Sequence, residues 1–444
     1  MLFVRFFTIF AVWLGLVHPL MAQSNYLQSG PMVGYSTMME VLLWVQTNAP
    51  ANVQIKYWDE LRPNNKLSTE EVQTNKRTAF TAKLLADKVE PGNKYVYELT
   101  INGKKVNRPY PLKFQTQTLW QWRTDPPDFK MVIGSCAYVN DEPYDRPGEP
   151  YGAGYQIFTQ IHAKQPDLML WLGDNVYLRE ADWNSITGIH YRNTHTRSLP
   201  ELQPLLGSSH HYAIWDDHDF GPNNSDRGLW NKEWTLEAFK LFWGNPSFGV
   251  NGQPGITTQF QWADVQFFLL DNRYYRTPNN RISGKRSILG EQQFEWLIDA
   301  LVKSAAPFKV VAIGGQFLNP VAGFEHHAIF ADERDRLLKA IEQENITGVI
   351  FFSGDVHHTE LSKLERRGTY PIYDLTISPL TAGPVIWDKP DANYLRIPET
   401  LVVERNFALL EFSGKRTDRQ MKITDYNVDG KELWNYTIKA RDLR

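Results

Sequence analysis

Four short polar motifs, each placed where a run of strand-forming residues stops, constrain this chain more than any bulk property. They read Gly134-Ser135-Cys136, Gly173-Asp174-Asn175-Val176-Tyr177, Trp215-Asp216-Asp217-His218-Asp219 and Ser353-Gly354-Asp355-Val356-His357-His358. The runs leading into them, Lys130–Ser135, Leu168–Gly173, His211–Trp215 and Gly348–Ser353, are short and mostly apolar, and each reads as a buried strand. Two further runs, Val265–Asp271 and Lys309–Ile313, have the same character, and the first leads into Arg273. Open α/β sheets collect functional groups beyond the C-terminal ends of their strands. A thiol, a phenol, carboxylates and imidazoles that all take this position make one ligand-rich edge, with the donor types that bind metal ions. A cluster able to hold more than one ion suits hydrolysis of phosphate esters.

The strands alternate with helical patterns at Gly154–Lys164, Glu291–Ser304 and Ala331–Gln343. In the second of these, Phe294, Leu297, Ile298 and Leu301 share one face. Strands close the chain around Phe407–Phe412, Met421–Tyr426 and Glu432–Ile438, the last two turned at Asp429-Gly430. Residues 23 to about 120 read differently. Met39–Val45 and Asn52–Trp58 are strand-like, and Tyr95, Tyr97, Leu99 and Ile101 alternate up to Asn102-Gly103, a type I′ hairpin signal. Pro91-Gly92 resembles the loop before the F strand of fibronectin type III sandwiches. With 444 residues the chain exceeds one ordinary core. We therefore expect an all-β, fibronectin-III-like sandwich at 23–120, a linker with Pro126-Pro127, and an α/β catalytic unit at 127–444.

Formal charge is −3, from 47 basic and 50 acidic residues, without the basic stripe of a nucleic-acid binder. Residues 1–22 read as a signal peptide, with Arg5, an apolar run Phe6–Val17 and a cleavage site at Leu20-Met21-Ala22. That run is shorter than the roughly 20 residues of a membrane span. The expectation is export, to periplasm or medium, without a stable transmembrane anchor. The single cysteine, Cys136, cannot form an internal disulfide, and its place after a strand marks it as a ligand. His210-His211, His326-His327 and the aromatic segment Trp230–Trp243 take structural readings.

The motifs, with Leu270-Asp271-x-Arg273-x-Tyr275-Arg276, resemble those of calcineurin-like metallophosphoesterases, and within them the PhoD-type alkaline phosphatases and phosphodiesterases. The resemblance runs over roughly residues 30–440 and implies an α/β fold of two packed mixed sheets flanked by helices, with metals at one edge. It implies that Asp174 bridges two ions, that Cys136, Tyr177 and His357 hold Fe3+, and that Asp217 and Asp355 hold a second ion. The superfamily's usual amide and imidazole are replaced at Asp217 and Asp355 by carboxylates, and hard anionic oxygen favours Ca2+, Mn2+ or Mg2+ over Zn2+. Calcium is the expected second metal. Asn224, Gln316 and His358 are further candidates, the first two as ligands and His358 as a support for its neighbour. His218 is the expected general acid and Arg273 the phosphate clamp, with an ion pair to a carboxylate as the alternative for Arg273. The implied activity is phosphoester hydrolysis, by attack of a metal-held hydroxide on phosphomonoesters. Diesters or phospholipids on the same centre are the alternative, and a non-catalytic binding protein is the third reading. Oligomeric state is left open.

Overall fold

The computed structural model describes residues 26–323, 325–385 and 393–444. The leader expected at 1–22 lies outside these residues. Among those described, no helix is long and apolar enough to cross a membrane.

The N-terminal part is a sandwich. One layer holds β1 (Leu27–Ser36), β2 (Val41–Thr47) and β6 (Thr81–Ala86). The other holds β3 (Asn52–Asp59), β4 (Leu67–Ser68), β5 (Val72–Gln73), β7 (Lys94–Ile101), β8 (Lys104–Val106) and β9 (Lys113–Gln115). Alternate residues of β3 are buried, as a strand with one solvated face requires. Val33, Leu43, Ile55, Tyr57, Leu99 and Phe114 meet in the core between the layers. Asn102 and Gly103 both have positive φ, 50° and 73°, as a type I′ turn demands.

Two mixed sheets build the rest. The first contains β10 (Phe129–Gly134), β11 (Leu168–Leu172), β12 (His210–Ile214), β19 (Asn406–Ser413), β20 (Gln420–Asn427) and β21 (Glu432–Lys439). The second contains β13 (Thr258–Trp262), β14 (Val265–Leu269), β15 (Phe308–Ala312), β16 (Val349–Ser353), β17 (Glu360–Leu364) and β18 (Ile372–Thr376). β10, β11 and β12 are parallel, and so are β14, β15, β16 and β18. Aromatic pairs weld the two sheets: Tyr212 of β12 stacks on Phe260 of β13 at 3.7 Å, and Phe412 of β19 meets Phe308 of β15 at 5.6 Å.

The sandwich is not a detached module. β1 runs parallel to β12, with Val33 opposite His210, so its first layer continues the first sheet to nine strands. The reading from sequence placed the sandwich beside the sheet and missed β1. That strand is buried on nearly every residue, so it shows no alternation. Its Gly34 also lies against Gly244, where a Cβ would sit 3.0 Å from the Gly244 carbonyl oxygen. His210 anchors this seam, its Nδ1 meeting the Gly34 carbonyl at 2.8 Å, while His211 binds within the first sheet, accepting from Trp171 of β11 at 3.0 Å.

Among the described residues seven α-helices pack around the sheets: α1 (Gln156–Ala163), α2 (Ile186–Arg197), α3 (Gln203–Leu206), α4 (Asp217–Phe220), α5 (Lys232–Phe242), α6 (Glu291–Lys303) and α7 (Ala331–Gln343). The expected α1, α6 and α7 are present. α2 gave no periodic signal because two of its three buried side chains are arginines. Of these, Arg192 pairs with Asp182 at 2.8 Å and Asp141 at 3.0 Å.

Candidate metal centre

The strand order dictates where the site lies. β10, β11 and β12 present Cys136, Asp174 and Asp217 at their C-terminal ends, and β14 and β16 present Arg273 and Asp355 at theirs. The two edges face each other across one crevice. Tight turns follow the strands, and Cys136, Asp174, Asp355 and His357 all have positive φ (60°, 51°, 74° and 58°), as does Asn224 (62°). Such backbone costs on the order of 1–3 kcal/mol per non-glycine residue and clusters at functional sites. Close approach also requires glycine at two points. A Cβ on Gly173 would lie 2.8 Å from the Asp216 Cβ, and one on Gly314 would lie 2.4 Å from an Asp216 carboxylate oxygen.

The first donor group spans both sheets. Cys136 Sγ lies 3.7 Å from Asp174 Oδ2. The Tyr177 hydroxyl lies 3.2 Å from His357 Nε2. Cys136, Asp174 and His357 each bring a donor atom within 4.8 Å of the others. His357 Nδ1 is 2.7 Å from the Gly383 carbonyl, an acceptor only, so the proton sits on Nδ1 and the Nε2 lone pair points into the group. Ser378 donates to the thiol at 3.2 Å. Burial nevertheless pushes the Cys136 thiol above its ordinary pKa.

The second group consists of carboxylates. Asp174 and Asp217 come together with His218, and Asp217 again with Asp216 and Glu325. The His218 backbone N–H donates to Asp174 at 3.2 Å and to Asp217 at 2.9 Å. The Asn224 N–H donates to Asp217 at 2.6 Å, so Asn224 reaches the site through its main chain. The His218 ring lies against the Tyr177 ring at 4.3 Å, within the same donor cluster. Asp355 brings its backbone carbonyl to 3.6 Å from Cys136 Sγ.

Arg273 is fully buried among these acids. Its guanidinium pairs with Asp216 and Glu325 and lies 3.9 Å from Asp217. The ion-pair alternative weighed for this arginine is thus realised in the structure. Its Nη2 lies against Asp216 without the alignment of a hydrogen bond.

Charge is out of balance. Asp174, Asp216, Asp217, Asp355 and Glu325 cluster here, and among the described residues the arginines paired with them are Arg273 and Arg276. Burial first, and then Asp217, Cys136 and other acids, raises Asp174 well above the usual carboxylate range. Asp355 is raised by burial, Asp216 and Asp217. Burial would also raise Asp217, but His218, Arg273 and the Asn224 N–H hold it below the usual range. Burial lowers the His218 imidazole, against the pull of Asp217. Buried acid in such surplus calls for added positive charge. The donors fit that need, with thiol, phenol, imidazole and carboxylate in the first group and oxygen in the second.

Gln316 and His358 belong to a neighbouring buried network. Gln316 donates to Glu360 at 2.7 Å and accepts from Asn319 at 2.6 Å. His358 Nδ1 meets the Val356 carbonyl at 3.1 Å, and its Nε2 lies 4.0 Å from Glu360. Both are engaged away from the Cys136 group. Glu325 was not foreseen. It immediately precedes the His326-His327 pair in the loop after β15, away from the end of any strand, so no local pattern pointed to it.

Comparison with known proteins follows the same lines. A family model described as PhoD-like phosphatase matches residues 131–415, and a domain of unknown function (DUF7800) matches residues 24–119. Alkaline phosphatase D of Bacillus subtilis (strain 168) is 24% identical over 336 residues, covering 64% of this chain and 54% of that protein. The match therefore spans about half the length of that relative. The solved structure of PhoD superposes with a TM-score of 0.76 at 17% identity, covering 95% of this chain and 92% of that one. Purple acid phosphatase PPD1 from yellow lupin seeds superposes at 0.65 with 12% identity, covering 93% and 74%. These likenesses establish the metallophosphoesterase-like fold, and the match over residues 131–415 establishes that the chain belongs to the PhoD-like phosphatase family.

Proposed function

We propose that this protein is an exported, metal-dependent phosphoester hydrolase of the alkaline phosphatase kind, acting on small phosphomonoesters. The observation that carries the reading is the convergence of Cys136, Tyr177, His357 and Asp174 from two sheets beside an unbalanced set of carboxylates. Cys136, Tyr177 and His357 would hold Fe3+, a strong Lewis acid that suits thiolate and phenolate. Asp217 and Asp355 would hold Ca2+, with Mn2+, Mg2+ or Zn2+ as the other choices, and Asp174 would bridge. The ions supply Lewis acidity and an activated water.

The chain's own residues do the rest. The His218 N–H fixes the Asp174 and Asp217 carboxylates. The His218 imidazole, against the Tyr177 ring, gives a proton to the leaving alkoxide or hydrogen-bonds a phosphate oxygen. Arg273, its guanidinium held by Asp216 and Glu325, supplies positive charge that draws the phosphate towards the carboxylates. The Asn224 N–H supports Asp217. Gln316 and His358 brace the Glu360 network behind the His357 turn. In this reading 1–22 is the removed leader, 23–120 the sandwich and 127–444 the catalytic unit.

The test is turnover of p-nitrophenyl phosphate, bis-p-nitrophenyl phosphate and a phosphatidylcholine, each with and without chelator. Chelator-sensitive release from the monoester supports the reading. Preference for the diester or the lipid moves the protein to a phosphodiesterase or phospholipase D-like role. A metal-replete protein that turns over none of the three contradicts it and favours a binding protein.

A further inference from the structure

A trough of about 750 Å³ lies at the N-terminal ends of β14, β15 and β16, the edge of the second sheet opposite the metal centre. It runs into a second hollow of about 320 Å³ against the sandwich, and the two share Trp120, Gln121, Gln259 and Gln261. Each volume falls within the roughly 300–1,000 Å³ of small-molecule sites. Neither takes part in the chemistry described above.

Its lining has a particular character. Gln261 of β13 stands opposite Gln266 of β14, which stands opposite Lys309 of β15, so polar side chains run in a row across three strands. Gln117, in the smaller hollow, has a buried Nε2 without a hydrogen-bond partner. Trp122 is 89% exposed and has φ of 57°, a left-handed conformation that a bulky residue rarely takes. A tight turn imposes it, with the Arg123 and Thr124 N–H groups both donating to the Trp120 carbonyl at 3.0 Å. Folding gains little from an indole held in water on a strained backbone, whereas a ligand stacked on it would gain much.

Three charged groups of the lining are engaged, while Lys303 and Arg444 stand exposed at its rim. Lys309 donates to the Ala306 and Thr347 carbonyls at 3.1 and 2.7 Å. Arg416 lies over the Trp120 ring at 5.4 Å, and Asp264 pairs with Arg419 at 3.1 Å. What faces a ligand is the Trp122 indole and a row of amides, of which Gln261 and Gln266 each give one hydrogen to a backbone carbonyl, Ala263 and Phe260 respectively, and keep an oxygen and a second hydrogen. An amide both donates and accepts, which matches the mixed donor and acceptor character of a sugar hydroxyl.

We propose that this trough is a carbohydrate-binding site that takes a neutral oligosaccharide or a polysaccharide strand, with a pyranose ring stacked on Trp122 and its hydroxyls on the glutamine row. Such a site would hold the protein on a glycan surface with the metal crevice facing away. It stands independently of the hydrolase reading.

Affinity electrophoresis of the full mature chain through gels containing laminarin, xylan, hydroxyethyl cellulose or glycol chitin tests it. At least one polymer should retard the protein. Trp122→Ala and Gln261→Ala, both at exposed positions, should weaken that binding by about tenfold or more with unchanged melting temperature. Absence of retardation in all four gels, or equal retardation of both variants and the parent, overturns the proposal. Salt-sensitive binding of oligo-dT that is lost in Trp122→Ala also overturns it, and gives the trough to single-stranded nucleic acid.

Discussion

The two donor groups share one crevice but are held open by different means. Around Cys136, Tyr177 and His357 the geometry is set by backbone: strand ends, positive φ angles and a carbonyl fixing the His357 tautomer. Around Asp216, Asp217 and Glu325 it is set by charge, with Arg273 placed among the acids. The first group needs no ion to keep its shape. The second would repel itself apart without a cation, and an arginine serves in that role. A single crevice can thus combine a mixed-donor site shaped by backbone with a carboxylate-rich site whose occupancy answers to local charge.

Variants that strike one group or the other sharpen this contrast. The largest effect should come from Asp174→Asn, since Asp174 alone belongs to both groups. Turnover of p-nitrophenyl phosphate should fall on the order of 10³-fold or more, measured as kcat/KM with saturating metals. Next is Arg273→Met, which leaves buried acids unpaired. Chelated protein should lose about 3–5 kcal/mol in urea melts, and added Ca2+ should restore part of it. Cys136→Ala should instead cost the chelated protein only about 1 kcal/mol, because a buried thiol is a small apolar group there. Equal costs for Arg273→Met and Cys136→Ala would break the comparison.

A pH-dependent effect concerns a carboxylate in neither group. Asp425 is fully buried, and neither of its oxygens has a hydrogen-bond partner. Burial, then Glu404, raises it well above the usual carboxylate range. A folded-state pKa above the unfolded value means that the folded protein holds the proton more tightly. Stability from this group is full below about pH 3.9 and is lost as pH rises toward the folded pKa. Asp425→Asn should therefore gain on the parent by about 1.4 kcal/mol per pH unit in that window. Parallel melting curves across pH would refute this.

Much of the site was legible because strand ends are legible. Short apolar runs that stop at Gly-Ser-Cys, Gly-Asp or Gly-Asp-Val-His announce both the strand and the residue it presents, and Asn102-Gly103 announced its turn. What escaped was set by long-range contact. β1 is buried on nearly every residue and carries glycines for close approach to a distant loop. α2 buries Arg192, whose partners Asp141 and Asp182 lie outside the helix, and Arg197, which lies over Trp243. Glu325 becomes meaningful only when Arg273 arrives from another strand. Local pattern carries donors on strand ends; charge pairing across the crevice needs the fold.

The central claim is that this crevice holds metals through Cys136 and Tyr177. Elemental analysis of the untagged mature protein, taken with its visible spectrum, tests it most directly. The account predicts about one iron per chain with calcium beside it, and a charge-transfer band lost in Cys136→Ala and Tyr177→Phe. A colourless protein with zinc in both sites, and metal content unchanged in those two variants, would contradict it.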